Sequence, residues 1–184
     1  MKMKTGYINL IIGCMFSGKS TEVIRLARKY KSINKNVLII NHSSDTRYGN
    51  GIISSHDEEK LNAVALTKIT DIINTTDYTN ADVIIIEEAQ FFNDLFEFVI
   101  KSADFDNKHL IISGLDGDFK REKFGDILKL IPHADKVTKL NGFCGICKDG
   151  TPAIFTKRLS SSTDKTLVGG SDIYLPVCRY HYND

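Results

Sequence analysis

The 184-residue sequence contains little proline, almost no net charge and no long apolar segment. Only 3 prolines occur while hydrophobic residues make up 42%, so the composition excludes a collagen-like chain and favours a globular chain over a disordered one. Lys and Arg number 24 against 23 for Asp and Glu, which gives a net charge of +1. The chain therefore lacks the basic field of a dedicated nucleic-acid-binding protein, although a local basic patch would still allow such binding. We expect no nucleic-acid partner.

The sequence also lacks a membrane-spanning run, and we expect no signal peptide. The longest apolar run, from residue 8 to residue 16, is interrupted by Asn9 and Gly13 and is shorter than the roughly 18 to 20 residues that cross a bilayer. Residues 1–4 lead directly into a strand pattern with no small-residue cleavage site. We therefore expect a soluble, cytoplasmic protein with no membrane partner.

Short aliphatic runs alternate with helix-like patterns over residues 1–140. The runs are followed by polar residues or glycine, as buried parallel strands are, and they lie at 4–12, 37–40, 83–86 and 110–112. The clearest helix pattern repeats at the spacing of one helix face and consists of Phe92, Leu95, Phe96, Val99 and Ala103. The alternation predicts an α/β fold in which a parallel sheet is flanked by crossover helices.

The segment between the first predicted strand and the next amphipathic helix matches the phosphate-loop pattern G-x-x-x-x-G-K-[ST]. Glycine allows the backbone to curl so that N–H groups face phosphate oxygens, and the helix N-terminus adds partial positive charge. We predict a P-loop NTPase-type fold in which Lys19 reaches the β and γ phosphates and Ser20 ligates magnesium. The residues predicted to bind the ATP phosphates are Gly13, Cys14, Met15, Phe16, Ser17, Gly18, Lys19 and Ser20.

Two adjacent acids, Glu87 and Glu88, follow the predicted strand at 83–86. In P-loop enzymes the acid nearer the strand usually serves magnesium, and a following Glu can act as a general base. We therefore assign Glu87 to magnesium and Glu88 to the base. If Glu88 deprotonates an alcohol the protein is a kinase, and if it deprotonates water the protein is an NTP hydrolase that carries a structural zinc knuckle.

The last quarter of the chain, residues 141–184, has few regularly spaced apolar residues. We interpret it as a small lobe separate from a core over 1–140. It holds three of the 4 cysteines, and Cys144, Cys147, Cys178 and His181 form two pairs with the short spacing of closed tetrahedral zinc sites. We predict a structural zinc that orders the roughly thirty residues between the pairs. A redox pair is the alternative for the first two cysteines, and a nucleic-acid-binding knuckle is disfavoured because no basic and aromatic surface accompanies the ligands.

Four motifs, at 13–20, 88–92, 115–121 and 168–174, resemble those of type II thymidine kinases in order and spacing. A further stretch, 45–49, looks like the eukaryotic and poxviral branch of that family. The resemblance covers nearly the whole chain. It implies transfer of the γ-phosphoryl group of ATP to the 5′-hydroxyl of thymidine, and also of deoxyuridine. It further implies magnesium with ATP, a homotetramer and feedback inhibition by thymidine triphosphate (dTTP).

The same resemblance implies residue roles. Glu88 and Lys19 would be catalytic. The ATP side would also include Asp45, Thr46, Arg47, Glu87, Ala89 and Gln90. The nucleoside would be enclosed by Met15, Phe91, Leu115, Phe119, Phe124 and Tyr174, and by a lasso-like lid that contains Lys165, Thr166, Leu167, Val168 and Gly169.

The sequence departs from the family pattern at two positions of this site. Cys14 stands where members commonly have Pro, which should loosen the loop slightly and place a thiol beside the phosphates. Glu87 stands where they usually have Asp. Its additional methylene moves the carboxylate towards the metal, so we expect altered magnesium geometry or affinity without loss of activity.

Overall fold

The computed structural model describes residues 5–45, 52–54, 60–160, 167 and 169–184. Five residues that the sequence analysis assigned to the site lie outside the described residues: Thr46, Arg47, Lys165, Thr166 and Val168.

The strands in the described part of the chain are β1 (Tyr7–Gly13), β2 (Val37–His42), β3 (Ile52–Ser54), β4 (Lys60–Asn62), β5 (Val64–Leu66), β6 (Val83–Glu87), β7 (His109–Leu115), β8 (Lys136–Leu140), β9 (Gly142–Phe143), β10 (Pro152–Ala153), β11 (Phe155–Arg158) and β12 (Tyr174–Val177). The α-helices are α1 (Lys19–Lys31), α2 (Thr76–Asn80), α3 (Leu95–Ile100) and α4 (Arg179–Asn183). Helix α3 continues as a π-helical turn over Lys101–Phe105. Short 3₁₀ segments occupy Ile69–Ile72, Ala89–Phe91 and Ile127–His133.

A six-stranded sheet with the order β5-β2-β6-β7-β1-β8 forms the centre of the fold. Its paired neighbours all run parallel. Every residue of β6 is buried, because helices and loops cover both faces of the sheet. The predicted parallel α/β sheet with flanking helices is thereby confirmed.

The predicted helix face at 92–103 begins later than the periodicity suggested. Phe92 is fully buried but lies before α3, which starts at Leu95. The delay follows from the backbone of Glu88, whose φ of 52° is left-handed and starts the 3₁₀ turn at Ala89–Phe91. Apolar spacing identified the buried face correctly and gave no information about this turn.

No helix among the described residues is long and apolar enough to cross a membrane.

A separate small core lies near the C-terminus. It contains Cys144, Ala153, Val177 and Cys178, contributed by the short antiparallel pairs β9–β10 and β11–β12 and the segments next to them. Tyr182 of α4 connects this part to the loop after β7 by donating a hydrogen bond to the carbonyl oxygen of Phe119 at 2.8 Å. The C-terminal part thus packs beside the loop that follows β7.

Candidate active site and metal centre

A cavity of about 230 Å³ opens where the carboxyl ends of β1, β2, β6 and β7 meet the C-terminal β11 and β12. Ligands of open parallel sheets bind outside the carboxyl ends of the strands. The loop after β1 lines one side of this cavity, and aromatic residues after β6 and β7 line another. The position and the lining indicate a ligand site.

The loop between β1 and α1 has the glycines that its shape requires. A Cβ at Gly13 would clash with the carbonyl oxygen of Leu140 in the neighbouring strand β8, so only glycine fits there. Gly18 has a φ of 84°, a left-handed conformation that glycine adopts without penalty, and α1 begins at the next residue. Phe16, which is not glycine, is also left-handed with a φ of 60°. The loop therefore contains a strained residue between its two glycines.

One side chain of this loop and the first side chain of α1 donate to the same carbonyl oxygen. The Nζ of Lys19 lies 2.7 Å from the carbonyl oxygen of Cys14, and the hydroxyl of Ser17 donates to the same oxygen at 2.8 Å. The Lys19 ammonium therefore lies folded along the loop beside the cavity.

The acids after β6 have different surroundings. Glu87 is only 4% exposed, and the hydroxyl of Ser20 in α1 donates to its carboxylate. Burial raises the pKa of Glu87, and the negative charge of neighbouring Glu88 raises it further. Glu88 accepts a hydrogen bond from Nε2 of Gln90 at 2.6 Å. The pair thus consists of a buried acid facing α1 and a second acid held by an amide on the cavity wall.

The other end of the cavity is aromatic. Phe91 and Phe124 pack edge to face with ring centroids 5.3 Å apart. The guanidinium of Arg158 lies 3.7 Å from the ring centroid of Phe119, and its Nη2 donates to the hydroxyl of Tyr174 at 2.7 Å. Tyr174 in turn donates to the carbonyl oxygen of Leu167 at 2.7 Å. Flat apolar surfaces with few polar groups suit a planar base.

The four predicted zinc ligands come together. Their ligand atoms all lie within 4.8 Å of one another. Nδ1 of His181 is 3.6 Å from Sγ of Cys144, 3.3 Å from Sγ of Cys147 and 3.4 Å from Sγ of Cys178, and the last two sulfurs are 3.9 Å apart. Tetrahedral zinc with its usual bond lengths requires S···S of about 3.8 Å and S···N of about 3.6 Å. The cluster therefore fits a zinc ion.

The surroundings of one ligand favour the thiolate that zinc requires. Burial alone would raise the pKa of Cys144, but backbone N–H groups of Cys147, Cys178 and Ile146 point at its sulfur and lower the pKa to about 6. Hydrogen bonds to the charged form stabilise that form. Cysteine binds zinc as the thiolate.

Comparison with known proteins agrees with this geometry. The family model described as "TK: Thymidine kinase" matches residues 6–182. The chain belongs to the thymidine kinase family. It is 44% identical over 183 residues to a thymidine kinase of Oryza sativa subsp. japonica, an alignment that covers 97% of this chain and 67% of the relative. It is 44% identical over 182 residues to a thymidine kinase of Yaba monkey tumor virus, covering 99% and 97%, and 42% identical over 182 residues to one of Vaccinia virus, covering 99% of each.

Most of the described residues that the sequence analysis assigned to ATP or nucleoside lie around this one cavity. They are Met15, Phe16, Ser17, Gly18, Lys19, Ser20, Asp45, Glu87, Glu88, Gln90, Phe91, Leu115, Phe119, Phe124, Leu167, Gly169 and Tyr174. Gly13, Cys14 and Ala89 are buried and do not line the cavity.

Several residues that line the cavity were not predicted from the sequence. They are Thr21, Ser44, Ile53, Gly117, Asp118, Thr156 and Arg158. Asp118 shapes its own loop, because its Oδ1 accepts the N–H groups of Lys120 and Glu122, both at 2.9 Å. Thr156 and Arg158 lie two residues apart on β11, so their side chains point to the same face of the strand. Recognition of 155–158 as a strand would have predicted that shared face.

Proposed function

We propose that the protein is an ATP-dependent kinase that transfers the γ-phosphoryl group of ATP to the 5′-hydroxyl of thymidine, and also of deoxyuridine, in nucleotide salvage. The observation that carries the proposal is the shared cavity, in which the phosphate-binding type of loop, Glu88 and an aromatic enclosure face one another. Membership of the thymidine kinase family supports the choice of nucleoside.

The loop from Gly13 to Ser20 would hold the ATP phosphates. Lys19 would leave the carbonyl oxygen of Cys14 and place its ammonium against the transferring phosphoryl group, where negative charge is spread over the equatorial oxygens. Ser20 and Glu87, already hydrogen-bonded across the site, would hold magnesium, which neutralises phosphate charge when it is bound. The ATP side would also include Asp45 and, outside the described residues, Thr46 and Arg47.

Glu88 would act as the general base. Its carboxylate would take the proton of the 5′-hydroxyl as that oxygen forms a bond to the γ-phosphorus, while the bond to the β–γ bridging oxygen breaks and ADP leaves. Gln90 would keep the carboxylate aimed into the cavity, since it donates to Oε2 of Glu88. The reaction then needs no other proton acceptor.

The aromatic end of the cavity would enclose the nucleoside. Met15, Phe91, Leu115, Phe119 and Phe124 would surround the base, and Tyr174 would hold the sugar end. The lid at 165–169 would offer backbone groups to the thymine edge, which presents carbonyl acceptors on both sides of an N–H donor. Closure would also exclude water and so protect ATP from wasteful hydrolysis.

Cys144, Cys147, Cys178 and His181 would hold a structural zinc, which cross-links two ends of the C-terminal lobe when it is bound. The lobe would comprise residues 141–184 and the kinase core residues 1–140, a division that the separate small core supports. We include in the proposal a homotetramer, feedback inhibition by dTTP, no nucleic-acid partner and a cytoplasmic location. A reducing compartment suits the free thiols of the cluster.

A coupled ADP-release assay tests the function directly. The protein is assayed with magnesium and ATP, first without nucleoside and then with thymidine, deoxyuridine, deoxycytidine or deoxyguanosine. We expect ADP release only with thymidine and deoxyuridine. Release at the same rate without nucleoside would mean that Glu88 activates water, and the hydrolase would replace the kinase.

A further inference from the structure

The phosphate loop rests on the C-terminal lobe at three consecutive residues. The backbone N–H of Met15 donates to Oγ1 of Thr156 at 3.0 Å, and Sγ of Cys14 lies 3.4 Å from the carbonyl oxygen of Ala153. A Cβ at Gly142 would lie 2.9 Å from the carbonyl oxygen of Phe16, so glycine allows this close approach. The two contacts of Cys14 and Met15 join positions 139 and 141 residues apart in the sequence.

Part of the loop's own hydrogen bonding is lost on binding, so a contact from outside the loop is needed to keep its shape. The Lys19 contact to Cys14 must break when the ammonium moves to a phosphate. The left-handed backbone of Phe16 is disfavoured for a residue with a side chain, so surrounding contacts must maintain it. The hydrogen bond to Thr156 comes from the backbone N–H of Met15, the residue before Phe16, and does not involve Lys19. It can hold the loop both before and after phosphate enters.

Thr156 is well suited to this task. It is only 5% exposed, and β11 fixes its backbone by pairing with β12, where it lies opposite Pro176. A buried hydroxyl on a paired strand loses little further entropy when it accepts a hydrogen bond. The hydroxyl is the partner of the Met15 N–H, which would otherwise lie partly buried without one.

We propose that Thr156 is a positioning residue for the phosphate loop, and that its hydroxyl holds the Met15 N–H so that the loop is preformed for the phosphates of ATP. The inference rests on the proposed function only in that the loop binds ATP. It assigns the C-terminal lobe a role on the phosphate side of the site, in addition to carrying the lid over the nucleoside.

The test compares Thr156→Val, which keeps the shape and removes the hydroxyl, with Thr156→Ser, which keeps the hydroxyl. Thr138→Val on β8 serves as a matched control outside the cavity. The dissociation constant of a fluorescent ATP analogue with magnesium is measured without nucleoside. We expect Thr156→Val to weaken binding roughly tenfold, the loss of one partly buried hydrogen bond, with Thr156→Ser within about twofold of the unchanged protein.

Two results would overturn the proposal. One is unchanged nucleotide affinity in Thr156→Val together with a raised KM for thymidine, which would make Thr156 a nucleoside contact only. The other is an equal loss in Thr156→Ser and Thr156→Val, which would show that the hydroxyl does not matter. If Thr156→Val does not fold by circular dichroism, Thr156→Ala takes its place with the same expectation. Weakened binding in a protein that never phosphorylates thymidine would retain this inference and reject the proposed function.

Discussion

Nε2 of Gln90 lies 2.6 Å from Oε2 of Glu88, and the other end of the same amide accepts the backbone N–H of Leu115 at 3.0 Å. The Leu115 N–H fixes which end of the amide is the acceptor, so the donor end must face Glu88. Gln90 is only 3% exposed, and a Cβ at either Gly114 or Gly125 would clash with it. The carboxylate of Glu88 is therefore aimed by a residue that has little freedom to move.

The first prediction concerns Glu88 itself. Glu88→Gln removes the proton acceptor and keeps the size of the side chain, so we expect kcat to fall by roughly 10²- to 10⁴-fold, the usual contribution of a general base. The affinity for the ATP analogue should change little, because the loop and Lys19 are intact. Thymidine-dependent ADP release and nucleotide titration measure the two quantities. Strong residual transfer would remove Glu88 from the base role.

The second prediction concerns Gln90. Gln90→Met keeps the volume and removes the donor, so Glu88 loses its orientation and kcat should fall by about tenfold, the effect of one hydrogen bond to a charged group. In the double variant with Glu88→Gln, the second change should cost almost nothing, since there is no base left to orient. Additive losses in the two variants would show that Gln90 acts independently of Glu88.

The sequence predicted the parts of the fold whose physical causes are local. Buried parallel strands require continuous aliphatic runs, so β6 was visible in its Val-Ile-Ile-Ile sequence. Edge strand β8, Lys136–Leu140, was missed because it is largely exposed and contains neither a continuous aliphatic run nor a strict polar–apolar alternation. The three-residue strand β5 was missed because it is too short to show any period.

The residues of the site likewise fall into those that local sequence predicts and those that it does not. The phosphate loop was predictable because its chemistry lies within eight consecutive residues, 13–20. Thr156 and Arg158 were not, because their partners Met15 and Phe119 are distant in sequence and meet them only through tertiary structure. Local spacing of residue types does not predict contacts between residues that are distant in sequence. The zinc ligands form an intermediate case, since each short pair is local and only the meeting of the pairs is tertiary.

The third prediction concerns the metal cluster. Cys144→Ala and His181→Ala each remove one of four ligands, so we expect loss of nearly all bound zinc and a lower melting temperature, since structural zinc contributes about 10 to 16 kcal/mol of binding energy in small zinc domains. His133→Ala is the matched control for His181→Ala, because His133 is a histidine that lies outside the cluster and outside the cavity. Elemental analysis and thermal unfolding measure the effects. A protein purified without zinc, with both ligand variants fully active, would contradict the structural zinc.

The fourth prediction is a pH dependence of stability that originates at His109, at the start of β7. Its ring stacks on Tyr7 with centroids 4.8 Å apart, and its Nε2 lies 3.1 Å from the hydroxyl of Tyr30. Burial lowers the pKa of His109, and the nearby charge of Asp135 only partly opposes the shift. The unfolded chain, with a histidine pKa of about 6.5, therefore takes up the proton first as the pH falls. The folded state loses stability below about pH 6.5 as a result.

His109→Gln removes this titrating group, so the free energy of unfolding should fall less steeply between pH 7 and pH 5 than in the unchanged protein. The difference in slope can reach at most about 1.4 kcal/mol per pH unit, the limit for a single proton. A residual slope should persist in the variant, because burial also lowers the pKa of His42. His133→Gln, a histidine replacement at an exposed position, is measured alongside for comparison. Urea unfolding at a series of pH values gives the comparison, and equal slopes in His109→Gln and the unchanged protein would contradict the assignment to His109.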